Sequence, residues 1–571
     1  MLIKIKLTLF FTLAGLCGVQ LLIAQTVKPA NGVAVADTTK NPLSQEIEVK
    51  RAYKPILAEA VKIRRSPDLA DIKPDTPSVA YNFLDKKLDL NSNIKPLEAQ
   101  KMVLLNSPIL KNNYAKIGLG NLGTTLAQLN LATGKDPALQ AGFNFNHLAQ
   151  KGKLNQQNTS MQSASIYGKA VGDRLVLLGN LSYNRRTNYF YGVDDLQTFS
   201  NPNPAQQKFN LFEADAEIYK RIAPSDSNKL QLATKINAYH INNVFDGAEN
   251  NITISAGGSK NLQKFQVGVN AVIDITNTKD IAYTFGNHLF KINPYLKFDG
   301  DRFKLTAGIN YVNEFGANQR IHLFPNASID YVLINNYLTL FGQLNGDVNK
   351  TRLRDLVMVN PFLNQNPTIK NTIEKLNIAG GVRGTIIPNV GFKAMVKSIT
   401  LDNFQYFINN IDQKQKFDLG YDDANILNFT GEINAKFSDD FSIDTKIDFN
   451  QYSLKNQQYA WFNPALKFST LAKVKIAQKF TFSTDLFYQS LTKAMVLDHP
   501  DPLAFTTPGY SPNYISTLSS FFDFGLGLDY TYNKKFGAFV KANNLLNKQY
   551  QQFLYYPNFG LNVLGGFSYS F

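Results

Sequence analysis

The chain has 571 residues, with 59 Lys and Arg against 44 Asp and Glu, a formal charge of +15. Its single cysteine excludes a disulfide scaffold and a thiolate metal site. The basic residues are scattered and interleaved with acids rather than clustered, so the charge reads as lumen lining and contact with anionic headgroups, not as a nucleic-acid surface.

At the N-terminus, Lys4 and Lys6 precede an apolar run from Leu7 to Ile23, and Ala24 supplies a small residue for cleavage. Residues 1–24 therefore read as a secretory signal peptide. Cys17 would leave with it, and Leu16, where lipid modification needs a small residue, argues against a lipoprotein. Beyond this run no stretch approaches the ~18 to 20 uncharged apolar residues that cross a bilayer as a helix. An exported chain of this kind is either periplasmic or a barrel. The mean hydropathy of -0.20 is compatible with the second, since a barrel strand needs apolar side chains only at alternate positions.

Residues 25–112 are polar and charged, and Pro29, Pro42, Pro55, Pro67, Pro74, Pro77, Pro96 and Pro108 interrupt them. Only Ala58 to Ile63 suggests a helical turn. This composition predicts an irregular segment that stays in the periplasm or enters a lumen. Within it, Glu46, Ile47, Glu48, Val49 and Lys50 alternate as a short strand would, which suits docking of a periplasmic partner by strand addition. Tyr53 to Lys62 is an equal candidate for docking another envelope protein.

From residue 113 to 571 the pattern changes to alternating segments of about ten residues separated by polar turns. Phe212, Ala214, Ala216 and Ile218 alternate with Glu213, Asp215 and Glu217. Phe303, Leu305, Ala307, Ile309 and Tyr311 repeat the pattern. The clearest hairpin pairs Leu427 to Phe437 with Phe441 to Phe449 across Ser438, Asp439 and Asp440. Side chains alternate faces along a strand, so one face is apolar and the other polar. The prediction is an all-β fold: an antiparallel outer-membrane β-barrel of about 22 strands, with 20 as the rival number.

Its first strand is placed at Tyr114 to Gly120, returning through Thr124 to Leu131. Tight turns assigned to the periplasmic side lie near Val171 to Asp173, Pro224 to Asn228, Asp299 to Asp301, Asn335 to Asn336, Pro388 to Asn389 and Asn533 to Lys535. Long extracellular loops are expected near Thr187 to Gln207, Lys350 to Asn371, Asn409 to Asp423 and Lys493 to Asn513. The aromatic groups Tyr189, Phe190 and Tyr191, and Tyr406 and Phe407, fit an interfacial girdle, with packing within a loop an equal reading for each taken singly. The lumen is expected to carry Glu213, Asp215, Glu217, Lys235, Glu432, Lys436, Asp444, Lys446 and Asp448.

No motif marks a nucleophile with its base, and the five histidines, His147, His240, His288, His322 and His499, show no ligand spacing. Asp498 beside His499 reads as a solvated loop pair. The chain is read as a non-enzyme with no cofactor and no metal.

The last 29 residues, Asn543 to Phe571, carry a more specific signal. Asn544, Leu545, Asn547 and Tyr550 are followed by Tyr556, Pro557 and Gly560, then by Gly566, Tyr569 and Phe571. This order and spacing resemble the closing two strands of TonB-dependent receptors. Leu561 stands where that family commonly has Arg, and residues 26–112 contain none of its plug motifs. The resemblance implies a 22-stranded importer of scarce nutrients in the outer membrane of a diderm bacterium, driven by a TonB-type energy-coupling protein. The missing plug motifs leave a wide lumen to be filled by the N-terminal segment, by inward-folded loops or by a partner.

Two functions follow as expectations: uptake of a small or medium solute, or a non-transporting barrel that serves as a structural or assembly partner in an envelope complex. In either case outer-membrane lipid and the barrel-assembly machinery are partners. The final strand places Phe567, Tyr569 and Phe571 on one apolar face, the type of terminal signal that this machinery reads. Replacing Phe571 with Lys is expected to slow insertion, seen as loss of the compact, heat-modifiable gel form during pulse labelling; normal migration would refute the assignment.

Overall fold

The computed structural model describes residues 113–133, 136–192, 203–221, 229–497 and 513–571. The signal peptide, the segment 25–112 with Glu46 to Lys50, the turn Pro224 to Asn228 and the pair Asp498–His499 lie outside the described residues.

The described strands form one sheet of 24, of which 22 make a closed antiparallel wall. The first, Tyr114–Gly120, pairs with Thr125–Ala132 on one side and with the last, Asn562–Ser570, on the other, so the ladder has no edge. The two remaining strands, Thr492–Leu497 and Asn513–Leu518, pair with each other outside the wall. The wall passes them by, running directly from Phe480–Gln489 to Phe521–Thr531.

The period-two pattern becomes an apolar exterior. Leu119, Leu181, Leu323 and Phe567 are 73%, 61%, 68% and 70% exposed, as are their counterparts on neighbouring strands to a lesser degree. No helix is long and apolar enough to cross a membrane among the described residues; the strands supply the crossing. In the hairpin Phe417–Ser438 with Phe441–Leu454, Phe429 faces Phe449, Glu432 faces Lys446 and Asn434 faces Asp444, so one register puts the odd positions of Leu427 to Phe437 and of Phe441 to Phe449 outside, and Glu432, Asp444, Lys446 and Asp448 inside.

The predicted tight turns fall at one end of the barrel. The strand pairs on either side of residues 300–302, 335–337, 388–389 and 532–535 are joined there. Asn336 and Asn389 adopt φ of 65° and 67°, a left-handed conformation that Asn tolerates.

The loop expected at Asn409 to Asp423 shortens to residues 410–416, because Val390–Asn409 runs for 20 residues and Phe417–Ser438 for 22. At about 3.3 Å per residue such strands far exceed the ~25 Å apolar band, so they rise beyond the bilayer as a paired ribbon. Of the loop expected at Lys493 to Asn513, residues 498–512 lie outside the described residues; its ends belong to the outer hairpin, which touches the ribbon where Val496 pairs with Asn409.

Closure is steric as well as hydrogen-bonded. A Cβ on Gly566 would lie 2.0 Å from the Ile117 carbonyl oxygen, and one on Gly120 would lie 2.4 Å from that of Val563. The seam therefore closes only over glycine. Gly566→Val is expected to cost about 1–3 kcal/mol through overpacking and to lower the temperature at which the compact form unfolds in a heat-modifiability series; an unchanged midpoint would exclude this role.

Candidate functional site

The end of the barrel opposite the tight turns is capped by packed loop segments. The segment between strands Leu338–Asn349 and Thr372–Ile387 carries the short helix α1, Leu353–Val359, with Leu353, Leu356 and Val357 buried. These residues join Phe362, Leu363 and Ile369 in a single apolar core with side chains from at least five other parts of the chain. Phe417, fully buried at the start of its long strand, sits against Phe462, Phe553 and Tyr556 at ring-centroid distances of 5.5, 5.3 and 6.1 Å. Phe362 stacks on Tyr556 at 3.5 Å. Tyr556 also donates its hydroxyl to the Gln415 carbonyl at 2.5 Å, and burial pushes its phenol pKa well above the usual value.

This core corrects the girdle expectation. Phe190, Tyr191, Tyr406 and Phe407 are buried in the cap, not spread at the membrane interface. Residues of the closing motif share this role: Tyr550 stacks on Phe521 at 3.7 Å, and Asn547 accepts the Leu561 N–H at 2.9 Å, fixing the turn before the last strand.

Polar contacts tie the capping segment to the lumen wall. Helix α1 has no side-chain cap of its own. The Glu249 carboxylate, from the wall, accepts the N–H groups of Leu353 and Arg354 at 2.8 and 3.2 Å, and also the hydroxyls of Tyr239 and Thr278 at 2.8 and 2.7 Å. A carboxylate there satisfies donors that a helix start leaves free and lies at the positive end of its dipole. Next to it Asp274 holds Lys350 at 2.5 Å and also pairs with Arg352. Arg354 reaches Glu213 at 2.7 Å. At the far end of the segment Asn371 donates to Glu314 and to Asn287, and the Tyr283 hydroxyl donates to the Pro367 carbonyl at 2.7 Å.

The strength of this latch is limited by solvation. Burial pushes the Lys350 ammonium down to about 8, while against the opposing effect of burial Lys350 and Arg352 together hold the Asp274 carboxyl below its ordinary value, so the cluster gives back part of its attraction in lost solvation. Each large apolar side chain of the core, by contrast, contributes about 1.5–3 kcal/mol when fully buried. The core holds the cap closed; the ions fix where it sits.

Below the cap the expected lumen residues line the inner wall. Asp215 lies 3.8 Å from Lys235, Thr430 donates to Asp448 at 2.8 Å and Asn434 to Asp444 at 2.8 Å. Glu213 belongs to the latch instead, and Lys436 pairs with Asp439 at the opposite, turn-bearing end. Glu217 and Glu432 are buried with no hydrogen-bond partner on either carboxylate oxygen. No group of three or more metal-binding side chains occurs among the described residues.

Sequence reasoning missed Glu249, Asp274, Lys350 and Arg352. The available signal was the run Lys350, Arg352 and Arg354 leading into Leu356, Val357, Met358 and Val359. Such a basic, then apolar, stretch is poorly suited to a solvated loop.

No family model matches the sequence, and no curated protein does. The fold, however, has solved counterparts. The iron transporter FrpB of Neisseria meningitidis superposes with a TM-score of 0.61 at 10% identity, covering 81% of this chain and 82% of that one. The ferric-catecholate import receptor Fiu of E. coli K12 gives 0.60 at 9%, with 81% and 82% covered. The siderophore receptor PirA of Acinetobacter baumannii gives 0.60 at 10%, with 81% and 80% covered. At such identities the likeness establishes the fold alone: a closed 22-stranded antiparallel β-barrel.

Replacing Asp274 with Asn is expected to weaken the latch by about 3–5 kcal/mol, the range for breaking a buried ion pair on one side. Trp461, the only tryptophan, is buried in the cap core. Its emission should shift to the red, and protease should nick residues 350–371 faster than in the native protein; unchanged emission and cleavage would show that the ions do not position the cap.

Proposed function

We propose that the chain is an outer-membrane receptor that takes up a small or medium polar solute, with the loop cap as its extracellular gate. The single observation that carries this reading is a lid attached by discrete ionic contacts over a polar, charge-lined lumen. A polar lining follows from any water-filled barrel; what favours a gate over a fixed seal is the attachment of the lid by discrete ionic contacts. The similar structures, an iron transporter, a ferric-catecholate import receptor and a siderophore receptor, favour the same class and leave the solute of this chain open. Energy coupling by a TonB-type protein, docked at Glu46, Ile47, Glu48, Val49 and Lys50, belongs to the proposal. So does recognition of Phe567, Tyr569 and Phe571 by the barrel-assembly machinery.

A second reading is favoured by the continuity of the apolar cap core. A mouth closed by packed aromatic rings suits a barrel that serves as an assembly partner in an envelope complex and transports nothing.

Single-channel conductance of the purified protein in planar bilayers separates the two. For a gated receptor, the native chain is expected to be closed, and Asp274→Asn combined with Glu249→Gln to produce resolved openings. A current that stays closed in the double variant, although its Trp461 emission reports a loosened cap, would refute the gate and favour the assembly role.

A further inference from the structure

Beneath the cap, the inner wall encloses a cavity of about 730 Å³ between the hairpin Phe417–Ser438 with Phe441–Leu454 and the last three wall strands. Four carboxylates line it, Glu432, Asp444, Asp485 and Asp523, against one ammonium, Lys446. Their partners are unequal. Lys541 reaches Asp485 at 3.2 Å, the Asn434 amide donates to Asp444, and the Tyr550 hydroxyl donates to Asp523. Only the first of these is a charge.

Glu432 differs from the others. It is 4% exposed, and neither of its oxygens has a hydrogen-bond partner. Lys446 stands 4.0 Å away and gives its close contact, 3.1 Å, to Asp448 instead. Lys393, opposite Glu432 in register, attracts it electrostatically but gives it no hydrogen bond, and its ammonium lies 5.8 Å from the centre of the Phe341 ring. A buried carboxylate left without a donor is costly, and a charged donor supplied from outside would recover that cost with a strong, charge-assisted bond. Phe487 and Phe559, also in the lining, offer ring faces of the kind that attract cations.

We propose that this cavity binds a polar solute bearing a positively charged nitrogen, an ammonium or guanidinium group, with Glu432 as its principal acceptor. The same excess of carboxylates disfavours anionic solutes, by like-charge repulsion in a confined space. Amides and hydroxyls around the acids, such as Asn543, Asn558 and Ser469, supply neutral hydrogen bonds for the remainder of the solute. The assignment rests on the uptake reading and names the class of solute taken up.

The test is calorimetric titration of the full-length protein in detergent, at fixed ionic strength, with spermidine, glucosamine and glucose. Spermidine and glucosamine are expected to bind and glucose to give no heat. Glu432→Gln should weaken amine binding at least tenfold while keeping the compact gel form, and Asp529→Asn, a partner of Lys116 outside the cavity, should leave it unchanged. Equal binding of glucose and glucosamine, full binding by Glu432→Gln, or no heat with either amine would overturn the assignment. Amine binding in a barrel that never conducts would uphold the site and sink the uptake reading, whereas conductance without amine binding would do the reverse.

Discussion

The structure depends on one constraint: in hydrocarbon every backbone N–H and C=O must find its partner within the protein. A sheet can meet it only by closing. The decisive pairing is therefore that of Tyr114–Gly120 with Asn562–Ser570, residues more than 440 positions apart. Its glycines let two backbones approach closely, and the Phe571 N–H completes the ladder on the Asn113 carbonyl at 2.9 Å. Once the sheet closes, lipid outside and water inside impose alternation on every strand.

Closure on this scale creates a second demand, since a barrel of 22 strands is too wide for its own wall side chains to fill. Among the described residues the loops meet it at the end opposite the tight turns. Two kinds of interaction compete for control there. The ionic contacts at Asp274 and Glu249 carry direction but limited net stability, because buried charges give up solvation to make them. The aromatic and aliphatic core has no such offset. A cap built in this way is stable when closed and is positioned by charges that can be contested by another charge.

Most of the wall was legible because its signal is local. Alternation within ten residues, a short turn and another ten suffice to place Leu427 to Phe437 against Phe441 to Phe449, and the closing motif from Asn544 to Phe571 fixed where the last strand lies. The first strand at Tyr114 to Gly120 emerged by counting back from it. The cap was not legible, for the opposite reason. Phe190, Leu353, Phe417, Trp461, Val496 and Tyr556 come from six separate regions, and each alone looks like an aromatic at a membrane interface or an apolar residue in a loop. Only the long strands Val390–Asn409 and Phe417–Ser438, carried past the bilayer, bring them to one height. The latch was hidden likewise: Glu249 and Asp274 each sit in a strand where an inward acid is the ordinary expectation. The unpartnered state of Glu432 is likewise a property of its surroundings, since an inward Glu opposite Lys446 reads from sequence as a satisfied cross-strand pair.

The energetics also bear on what opens the cap. Moving a two-state equilibrium from 1:99 to 99:1 takes about 5.5 kcal/mol of differential binding, a preference of about 10⁴-fold for the open form. Competition for the Asp274 and Glu249 contacts alone reaches the lower part of that scale, at about 3–5 kcal/mol for a disrupted buried pair, and leaves the apolar core to be separated as well. On the proposed receptor function, a solute arriving from outside loosens such a lid more readily than it removes it, and full opening needs a second contribution, from solute bound at the cavity below or from a coupling partner. A cap held by a hydrophobic core and positioned by ions would suit that division: recognition would act on the charges, and work on the packing.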